Sequence, residues 1–333
     1  MHNIISVKNL SKSFNYYKKV PGLWGSVKGL FHREKLTKTA VDDISIEIHE
    51  GEFLGFVGPN GAGKTTTLKM LSGILYPTSG EISVLGYKPF KRQPEFQKQF
   101  SLVMGQKNQL WWDLPAIESF MLNKAIYEIP DKLFKKNLDE LTELLDIQDI
   151  LNVQVRKLSL GQRMKCELTA ALLHSPKVIF LDEPTIGLDV VSQKNIRDFL
   201  LAYNKRSKAT ILLTSHYMED IRRLCDRVVI IDHGKIIYDG NYKNLTNRYA
   251  ESKRLELVLN RNVDPSEFKK YGEILSYRDH LVSLSIERKR SAHITAEILE
   301  KFPVEDLTIH EKDMEEIVGE IFRTRQIKAE KNV

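Results

Sequence analysis

Nine residues near the start of the chain constrain the fold more than any others. Residues 58–66 read Gly-Pro-Asn-Gly-Ala-Gly-Lys-Thr-Thr, which fits the pattern GxxxxGK followed by Ser or Thr. An apolar run precedes them, and a helical pattern over residues 64–72 follows. The glycines let the backbone fold around an anion with its N–H groups pointing inward, and the helix N-terminus favours negative charge. The segment therefore predicts a strand–loop–helix unit that binds the phosphates of a nucleotide.

Each position of this phosphate loop has an expected role. We expect Lys64 to reach the β- and γ-phosphates and the Thr65 hydroxyl to ligate Mg²⁺. A glycine-rich turn that fits the pattern by chance is the competing explanation, and the flanking strand and helix patterns argue against it. The positions expected to cradle the phosphates are Gly58, Pro59, Asn60, Gly61, Ala62, Gly63 and Thr66.

A second short strand ends in two acids. Residues 178–181 are apolar, and Asp182 and Glu183 follow them. The carboxyl ends of parallel strands open on the ligand crevice of an α/β sheet. We expect Asp182 to hold Mg²⁺, directly or through water, and Glu183 to act as general base toward the attacking water. Alone the pair could be an acidic turn, but beside a phosphate loop it supplies the metal and base roles of nucleotide hydrolysis.

The periodicity of the first part of the chain predicts an α/β domain. Residues 1–57 alternate like antiparallel strands, with a hairpin signal at residues 50–51. Residues 112–175 carry mostly helical periodicity, which predicts a helical subdomain. Strand candidates at residues 178–181 and 210–214, with a helical stretch between them, favour a parallel sheet with crossover helices.

The pattern changes near residues 241–252, which we assign to a linker. It separates a domain over residues 1–240 from a smaller α+β domain over residues 253–333. The smaller domain reads strand, helix, strand, strand, helix, strand, the order of a ferredoxin-like module. A final charged helix is predicted at residues 313–323. Within the first domain, a basic stretch at residues 18–38 predicts an inserted loop or short amphipathic helix, either solvated or lying against anionic lipid.

Composition excludes several other classes of protein. The chain has 333 residues and a formal net charge of +6, and this charge is spread along the length, so it does not by itself favour nucleic acid. Two cysteines are too few for a disulfide framework, which fits a reducing compartment. No apolar run approaches the ~20 residues of a spanning helix. We also expect no signal peptide, because the N-terminus lacks an apolar core.

Further motifs, in order, resemble the nucleotide-binding subunit of an ATP-binding cassette (ABC) transporter over about residues 1–240. Gln106 resembles the Q-loop glutamine, which in that family ligates metal and water. Residues 158–162, Leu-Ser-Leu-Gly-Gln, resemble the signature motif, with leucine at a position where glycine is usual. Asp189 resembles the D-loop aspartate, and His216 resembles the switch histidine that contacts the γ-phosphate.

The resemblance implies a P-loop ABC ATPase fold with an antiparallel β subdomain and a helical subdomain. In that family two ATP molecules are sandwiched between the phosphate loop of one subunit and the signature motif of another. Hydrolysis then needs a dimer, whose homomeric or heteromeric nature the resemblance leaves open. It implies that Ser159, Gly161 and Gln162 bind the second subunit's ATP, with Asp189 beside them.

Several of these residues also have a local explanation. Ser159 and Gln162 have the spacing of a helix capping box, and Asp189 has the chemistry of a helix cap. Phe14 falls where an aromatic residue of the family stacks on adenine, and a ring face is all that stacking requires. Tyr16 and Tyr17 are alternative stacking residues.

The resemblance also implies partners and a location. An ATP-hydrolysing subunit of this kind lies at the inner face of the cell membrane against a separate permease. The motifs resemble the branch that exports small molecules. Two adjacent tryptophans, Trp111 and Trp112, follow the Q-loop, and we expect one to line the groove that receives a permease helix. The alternative is that both pack inside the helical subdomain.

Other functions are weighed against this one. A soluble ABC ATPase that acts on ribosomes or nucleic acid is the alternative, but such proteins usually carry two cassettes or a long coiled coil. This chain has one cassette and no sustained heptads. A non-hydrolysing regulatory partner would lack the metal ligand or the base, and Asp182, Glu183 and His216 are all present. The sequence names neither the transported molecule nor the direction of transport.

Overall fold

The computed structural model consists of two compact units, Met1–Gly240 and Asn241–Val333. Most of the predicted insertion, residues 18–34, lies outside the described part of the chain, as do His216 and nearly all of the predicted helix at residues 313–323. The residues that the structure describes are 3–17, 35–215, 217–249, 252–311, Ile317 and Gly319.

Both units contain strands at the predicted positions, and the first unit has two further strands, at residues 79–84 and 100–104, that the pattern did not predict. The strands are β1 (Asn3–Tyr17), β2 (Lys35–His49), β3 (Phe53–Val57), β4 (Ser79–Val84), β5 (Phe100–Met104), β6 (Val178–Asp182), β7 (Thr210–Thr214), β8 (Arg227–Asp232), β9 (Lys235–Asn241), β10 (Ser252–Leu259), β11 (Glu273–Arg278), β12 (Leu281–Glu287) and β13 (Val304–Glu311).

The helices lie between these strands, and one of them, at residues 242–249, occupies most of the stretch assigned to a linker. They are α1 (Lys64–Leu71), α2 (Pro94–Gln97), α3 (Ala116–Ile126), α4 (Asp131–Leu145), α5 (Leu160–Leu172), α6 (Val190–Ser207), α7 (Met218–Leu224), α8 (Tyr242–Tyr249) and α9 (Ser291–Lys301).

A six-stranded sheet forms the centre of the first unit, in the order β5-β6-β7-β3-β8-β9. Strands β3, β6 and β7 are buried at every residue, as their continuous apolar sequences require for a parallel sheet covered on both faces. Pairing aligns Met104, Asp182 and Thr214 at the carboxyl ends of β5, β6 and β7. These ends, together with the loop after β3, create the crevice predicted from the sequence.

A second, antiparallel sheet has the order β2-β1-β4, and it corrects two expectations. The hairpin predicted at residues 50–51 is wrong, because β2 pairs with β1 while β3 pairs with β7 and β8. The turn carries the chain from one sheet to the other. Residues 35–38, placed in the insertion, instead continue β2 opposite residues 14–17 of β1.

The predicted helical subdomain corresponds to helices α3, α4 and α5. Helix α4 is amphipathic and buries Phe134, Leu141 and Leu145, which recur at the spacing of one helix face. Helix α5 is buried along most of its length. No helix in the described part of the chain combines the length and apolar character needed to cross a membrane.

The second unit has a four-stranded antiparallel sheet in the order β11-β12-β10-β13. This is the strand order of a ferredoxin-like module. The helix predicted at residues 265–271 is a single 3₁₀ turn, Pro265–Phe268, capped by Asp264. The segment is held by aromatic packing in place of further helix turns. Phe268 stacks on Phe302 with ring centroids 4.5 Å apart, and Tyr271 is buried beside them.

Candidate functional site

The phosphate loop is wedged between two strands of the core. A Cβ atom at Gly58 would lie 2.2 Å from the carbonyl oxygen of Ile231, at the end of β8. At Gly63, where φ is +111°, it would lie 2.4 Å from the carbonyl oxygen of Ala40 in β2. Both neighbours are backbone atoms, so side chains are excluded at these two positions. The close approach fixes the path of the loop into helix α1.

Lys64 begins helix α1 and is buried. Its Nζ donates hydrogen bonds to the carbonyl oxygens of Gly58 (2.7 Å) and Pro59 (3.2 Å). Burial lowers the pKa of the Lys64 ammonium, and the charges of Glu183 and Asp182 act in the opposite direction. The loop thus holds a cation inside its own curve, where a phosphate group would bind.

The remaining loop positions tighten this curve. The N–H group of Ala62 donates to the carbonyl oxygen of Pro59 (3.1 Å), and the carbonyl oxygen of Ala62 accepts from the N–H group of Gly234 (3.0 Å). Gly61 has φ +81° and open space around its missing Cβ atom. Thr66 lies on helix α1 and lines the cavity above the loop.

Asp182 ends β6 and is only 8% exposed. The hydroxyl of Thr65 donates to its two oxygens (3.1 and 2.9 Å), and the hydroxyl of Thr214 donates to Oδ1 (2.7 Å). A carboxylate and a hydroxyl beside a phosphate loop are hard oxygen ligands of the type that suits Mg²⁺. Thr214 belongs to this cluster, although sequence reasoning gave it no role; only its place at the end of the neighbouring strand could have signalled it.

Glu183 follows Asp182 in the left-handed region, with φ +56°. Its N–H group is held by the carbonyl oxygen of Thr214 (3.0 Å). Its Oε2 accepts a hydrogen bond from Nε2 of Gln106 (3.2 Å). Gly105 explains this proximity, because a Cβ atom there would lie 2.0 Å from the carbonyl oxygen of Glu183. The structure therefore brings the Q-loop glutamine and the predicted base together.

Two adjoining cavities open over these residues. One of about 540 Å³ is lined by Thr65, Gln106, Asp182 and Glu183 together with Asn60. The other, of about 290 Å³, shares Asn60, Thr65 and Glu183 with the first. The remaining predicted residues that line the second cavity are Phe14, Gly61, Gly63, Lys64 and Thr66.

Phe14 lies on β1 at the edge of the second cavity and is partly exposed. The ammonium of Lys12 lies 5.1 Å from the centroid of its ring. Tyr16 and Tyr17 are also exposed, but neither belongs to the residues that line the cavity. Of the three aromatic candidates, the structure brings Phe14 to the phosphate loop.

The signature motif and the D-loop form a separate cluster. Ser159 and Gln162 make the predicted capping box: Oγ of Ser159 accepts from the N–H group of Gln162 (3.2 Å), and Oε1 of Gln162 accepts from that of Ser159 (3.0 Å). Asp189 caps helix α6 through the N–H group of Ser192 (2.9 Å). A Cβ atom at Gly161 would lie 2.4 Å from Oγ of Ser192, so the two helix starts pack together.

A buried network that sequence reasoning missed lies behind Glu183. Asp220 is fully buried and accepts from Nε of Arg197, Oγ1 of Thr185 and Oγ of Ser215, each at 2.5 Å. It joins the segment after Glu183 to helix α6 and to the residue before His216. A buried charge with three donors is well satisfied. In the sequence, only the position of Asp220, a polar residue on the buried face of a short helix, could have indicated this network.

The two tryptophans have different surroundings. Trp111 lines a cavity of about 220 Å³ together with residues of β5, α3 and α5. Its backbone N–H group donates to Oγ of Ser119 (3.1 Å). Trp112 instead lies under the guanidinium of Arg163, 5.4 Å from its ring centroid. Both side chains are about half exposed, 52% and 45%. The alternative, that both pack inside the helical subdomain, is wrong.

Comparisons with known proteins identify the family. A family model described as ABC transporter matches residues 41–186, and one described as EvrA-like ABC transporter, C-terminal domain, matches residues 251–310. The ABC transporter ATP-binding protein NatA of Bacillus subtilis is 35% identical over 226 residues, which are 68% of this chain and 90% of that protein. The chain belongs to the family of ABC transporter ATP-binding proteins.

Other relatives and solved structures point the same way. The bacitracin transport ATP-binding protein BcrA of Bacillus licheniformis is 35% identical over 64% of this chain and 68% of its own length. A dimeric ATP-binding cassette in a post-hydrolysis state, bound to ADP and Pi, has a TM-score of 0.59 at 22% identity, covering 71% of this chain and 98% of that one. The fold is that of an ABC ATPase, and the protein is an ATP-binding, ATP-hydrolysing subunit.

Proposed function

We propose that this ATPase subunit drives export of a small molecule through a separate membrane permease, by closing and opening a dimer. Two relatives carry names that support this reading, the bacitracin transport protein BcrA and the linearmycin resistance ATP-binding protein LnrL of Bacillus subtilis. LnrL is 34% identical over 67% of this chain and 71% of its own length. The subunit would lie at the inner face of the membrane through its permease. We assign residues 1–240 to the ATPase and residues 253–333 to an accessory domain.

The nucleotide would bind across the two adjoining cavities. Phe14 stacks on adenine, and the backbone of the phosphate loop and Lys64 hold the phosphates. Thr65, Asp182 and Gln106 would hold Mg²⁺, which neutralises phosphate charge when bound. The observation that carries this assignment is the hydrogen-bonded cluster of Thr65, Asp182 and Thr214 at the mouth of the loop.

Glu183 then acts on the attacking water. Glu183 lines the larger cavity together with Gln106, whose Nε2 donates to its carboxylate. A general base within reach of the water accepts its proton as the water attacks the γ-phosphate. His216 is assigned the γ-phosphate contact through the family motif, since it lies outside the described residues.

The signature motif would complete the site of a second subunit. Ser159 is exposed, and its capping bonds remain within its own helix. The N-terminus of α5 therefore presents its positive end to solvent, as an anion-binding surface requires. Beside it, Val190 and Val191 are 79% and 68% exposed. We propose that Ser159, Gly161, Gln162 and Asp189 face the ATP held by the partner.

The cavity lined by Trp111 is the proposed docking groove for the permease. It lies between the core strand β5 and helices α3 and α5 of the helical subdomain. None of its lining residues carries a charge, and most of its polar side chains are hydroxyls and amides. A permease helix that presents uncharged side chains therefore fits it better than a highly charged one.

Replacement of the base tests this function. Purified Glu183→Gln protein is expected to form a dimer that retains ATP when Mg-ATP is added, while the wild type hydrolyses ATP and returns to monomer. Light scattering after size exclusion gives the mass, and extraction gives the trapped nucleotide. Glu143→Gln, on the exposed face of α4, serves as a matched control. A monomeric Glu183→Gln protein that hydrolyses ATP at the wild-type rate would contradict the assignment.

A further inference from the structure

Glu167 is a buried carboxyl group with no part in the roles assigned above. It lies on helix α5, the helix that Ser159 caps, and is only 3% exposed. Its Oε1 accepts hydrogen bonds from the N–H groups of Gln109 (2.9 Å) and Leu110 (3.3 Å). Its Oε2 is buried and makes no hydrogen bond. Burying a carboxyl group with one oxygen that makes no hydrogen bond costs free energy. The presence of Glu167 at this position therefore needs an explanation.

The segment that Glu167 holds starts three residues after Gln106 and leads into the groove. Nε2 of Gln109 donates to the carbonyl oxygen of Leu102 in β5 (2.7 Å). The N–H group of Trp111 donates to Oγ of Ser119 in α3 (3.1 Å). Hydrogen bonds therefore connect the segment to the core and to two helices of the helical subdomain. Glu167 makes the connection to α5, which we call the signature helix because the signature motif lies at its start.

Glu167 and the signature motif lie on the same helix, so the hydrogen bonds of Glu167 affect the position of Ser159. Glu167 follows Ser159 by eight residues, about 12 Å along the helix at its usual rise. Ser159 caps, and Glu167 lies within, one uninterrupted helix, Leu160–Leu172, whose backbone hydrogen bonds connect the two positions. A shift of the backbone at Gln109 and Leu110 is then transmitted to Ser159, and a shift of the signature motif is transmitted back toward Gln106.

We propose that Glu167 is a positioning residue for hydrolysis: it ties the segment behind Gln106 to helix α5, so that Gln106 and Ser159 move together during turnover. This inference rests on the roles proposed above for Gln106 and Ser159. Glu167 touches neither nucleotide phosphates nor the attacking water. Its effect is exerted through the two backbone N–H groups that it accepts.

The function needs an acceptor oxygen at this position and does not need a charge. Burial raises the pKa of the Glu167 carboxyl, against the opposing effects of its two backbone hydrogen bonds and the charge of Arg163. Glutamine keeps the acceptor oxygen at the same place. Methionine has a similar length but offers no comparable acceptor. The pair of variants therefore separates the hydrogen bonds from the volume of the side chain.

The test measures kcat and KM for Mg-ATP in the full-length chain. Glu167→Met is expected to lower kcat by about tenfold to a hundredfold, the usual cost of a small misplacement in an active site, with KM nearly unchanged. Glu167→Gln is expected to keep kcat within about twofold of wild type. Glu143→Met, on an exposed face of α4, is the matched control and should change neither constant.

Hydrogen exchange of residues 107–111 gives a second readout. Exchange should accelerate in Glu167→Met and stay at the wild-type rate in Glu167→Gln, because the amides of Gln109 and Leu110 lose or keep their acceptor. If Glu167→Met does not fold, Glu167→Asp replaces it, because the shorter side chain withdraws the oxygen by about 1.5 Å. It should show the same fall in kcat and the same faster exchange.

Two results would overturn the inference. One is a folded Glu167→Met or Glu167→Asp protein with faster exchange at residues 107–111 but wild-type kcat. The other is an equal loss of kcat in Glu167→Gln and Glu167→Met, which would assign the effect to charge. Either result, together with an inactive Glu183→Gln protein, removes this inference alone. Hydrolysis that survives Glu183→Gln would instead remove the proposed function beneath it.

Discussion

The phosphate loop and the signature motif differ in how each satisfies its own polar groups. Around the loop, residues distant in sequence interlock: Thr65 and Thr214 both bond Asp182, and Lys64 turns back on the loop. At the signature motif, Ser159 and Gln162 bond each other and Ser159 stays exposed. In the first region, contacts within one chain hold the side chains that we expect to bind the nucleotide. The second is a capped helix start with an exposed serine, and we propose that it is one half of a site shared by two chains.

Their glycines differ in the same way. A side chain at Gly58 would strike the backbone of Ile231, which cannot move without shifting β8. A side chain at Gly161 would instead strike side-chain atoms of Ser192, its Oγ at 2.4 Å and its Cβ at 2.9 Å. The phosphate loop is therefore fixed by the core of the chain. The signature motif is held by a side-chain contact with the start of α6.

The largest effect is expected from Asp182→Asn. The amide has one acceptor oxygen and no charge, so it would be a weaker Mg²⁺ ligand, and its NH₂ group cannot accept the hydroxyls of Thr65 and Thr214 as a second carboxylate oxygen does. Hydrolysis should fall by at least about a hundredfold, while the isolated protein stays folded. Steady-state ATPase rates and circular dichroism measure both. Asp139→Asn, on the exposed side of α4, is the control. An Asp182→Asn protein whose ATPase rate lies within a few-fold of the rate of this control would contradict the role assigned to Asp182.

The next effect separates two glycines of the same loop. Gly58→Ala forces a Cβ atom against a backbone carbonyl and should weaken ATP binding by about tenfold or more. Gly61→Ala has open space and only the strain of φ +81°, about 1 kcal/mol, so its Kd should rise less. Calorimetric titration with Mg-ATP compares the two. Equal affinities in the two variants would show that the wedge at Gly58 does not shape the binding loop.

A smaller effect is expected at the signature motif. Ser159→Ala removes the helix cap and should lower the free energy of unfolding by about 1 kcal/mol. Because the phosphate loop lies elsewhere, the Kd of the monomer for ATP should not change, while hydrolysis, which in the proposed dimer needs the partner's motif, should fall. Urea denaturation and ATP titration below the dimerisation concentration test this. Weaker ATP binding by the Ser159→Ala monomer would place the motif in the wrong half of the site.

The smallest effects on stability are expected from the two tryptophans. Trp111→Ala and Trp112→Ala each remove a half-exposed side chain, so each should cost about 1 kcal/mol or less. Their binding effects should differ. Trp111→Ala should retain less permease from detergent-solubilised membranes than Trp112→Ala, since only Trp111 lines the groove. Equal retention by two folded variants would remove Trp111 from the docking surface.

Local patterns in the sequence predicted the parts of the site that depend on nearby residues. The phosphate loop, the acids after β6 and the Ser159–Gln162 capping box all have fixed short spacings. Long-range pairs had no such signal: Thr214 and Asp182 are 32 residues apart, and Gln109 and Glu167 are 58 apart. The hairpin at residues 50–51 failed for a related reason. Turn residues predict that the chain reverses, but they do not predict which sheet it joins.

The central claim is that one chain's phosphate loop is completed by another chain's signature motif, and mixing two inactive variants tests it most directly. Lys64→Ala disables the loop, and Ser159→Arg fills the space in front of the signature helix. Each protein alone should lack ATPase activity. In a mixed dimer, the intact loop of the Ser159→Arg chain faces the intact signature of the Lys64→Ala chain, so mixing should restore hydrolysis. A mixture that stays inactive, under conditions where the wild type hydrolyses ATP, would contradict the shared site.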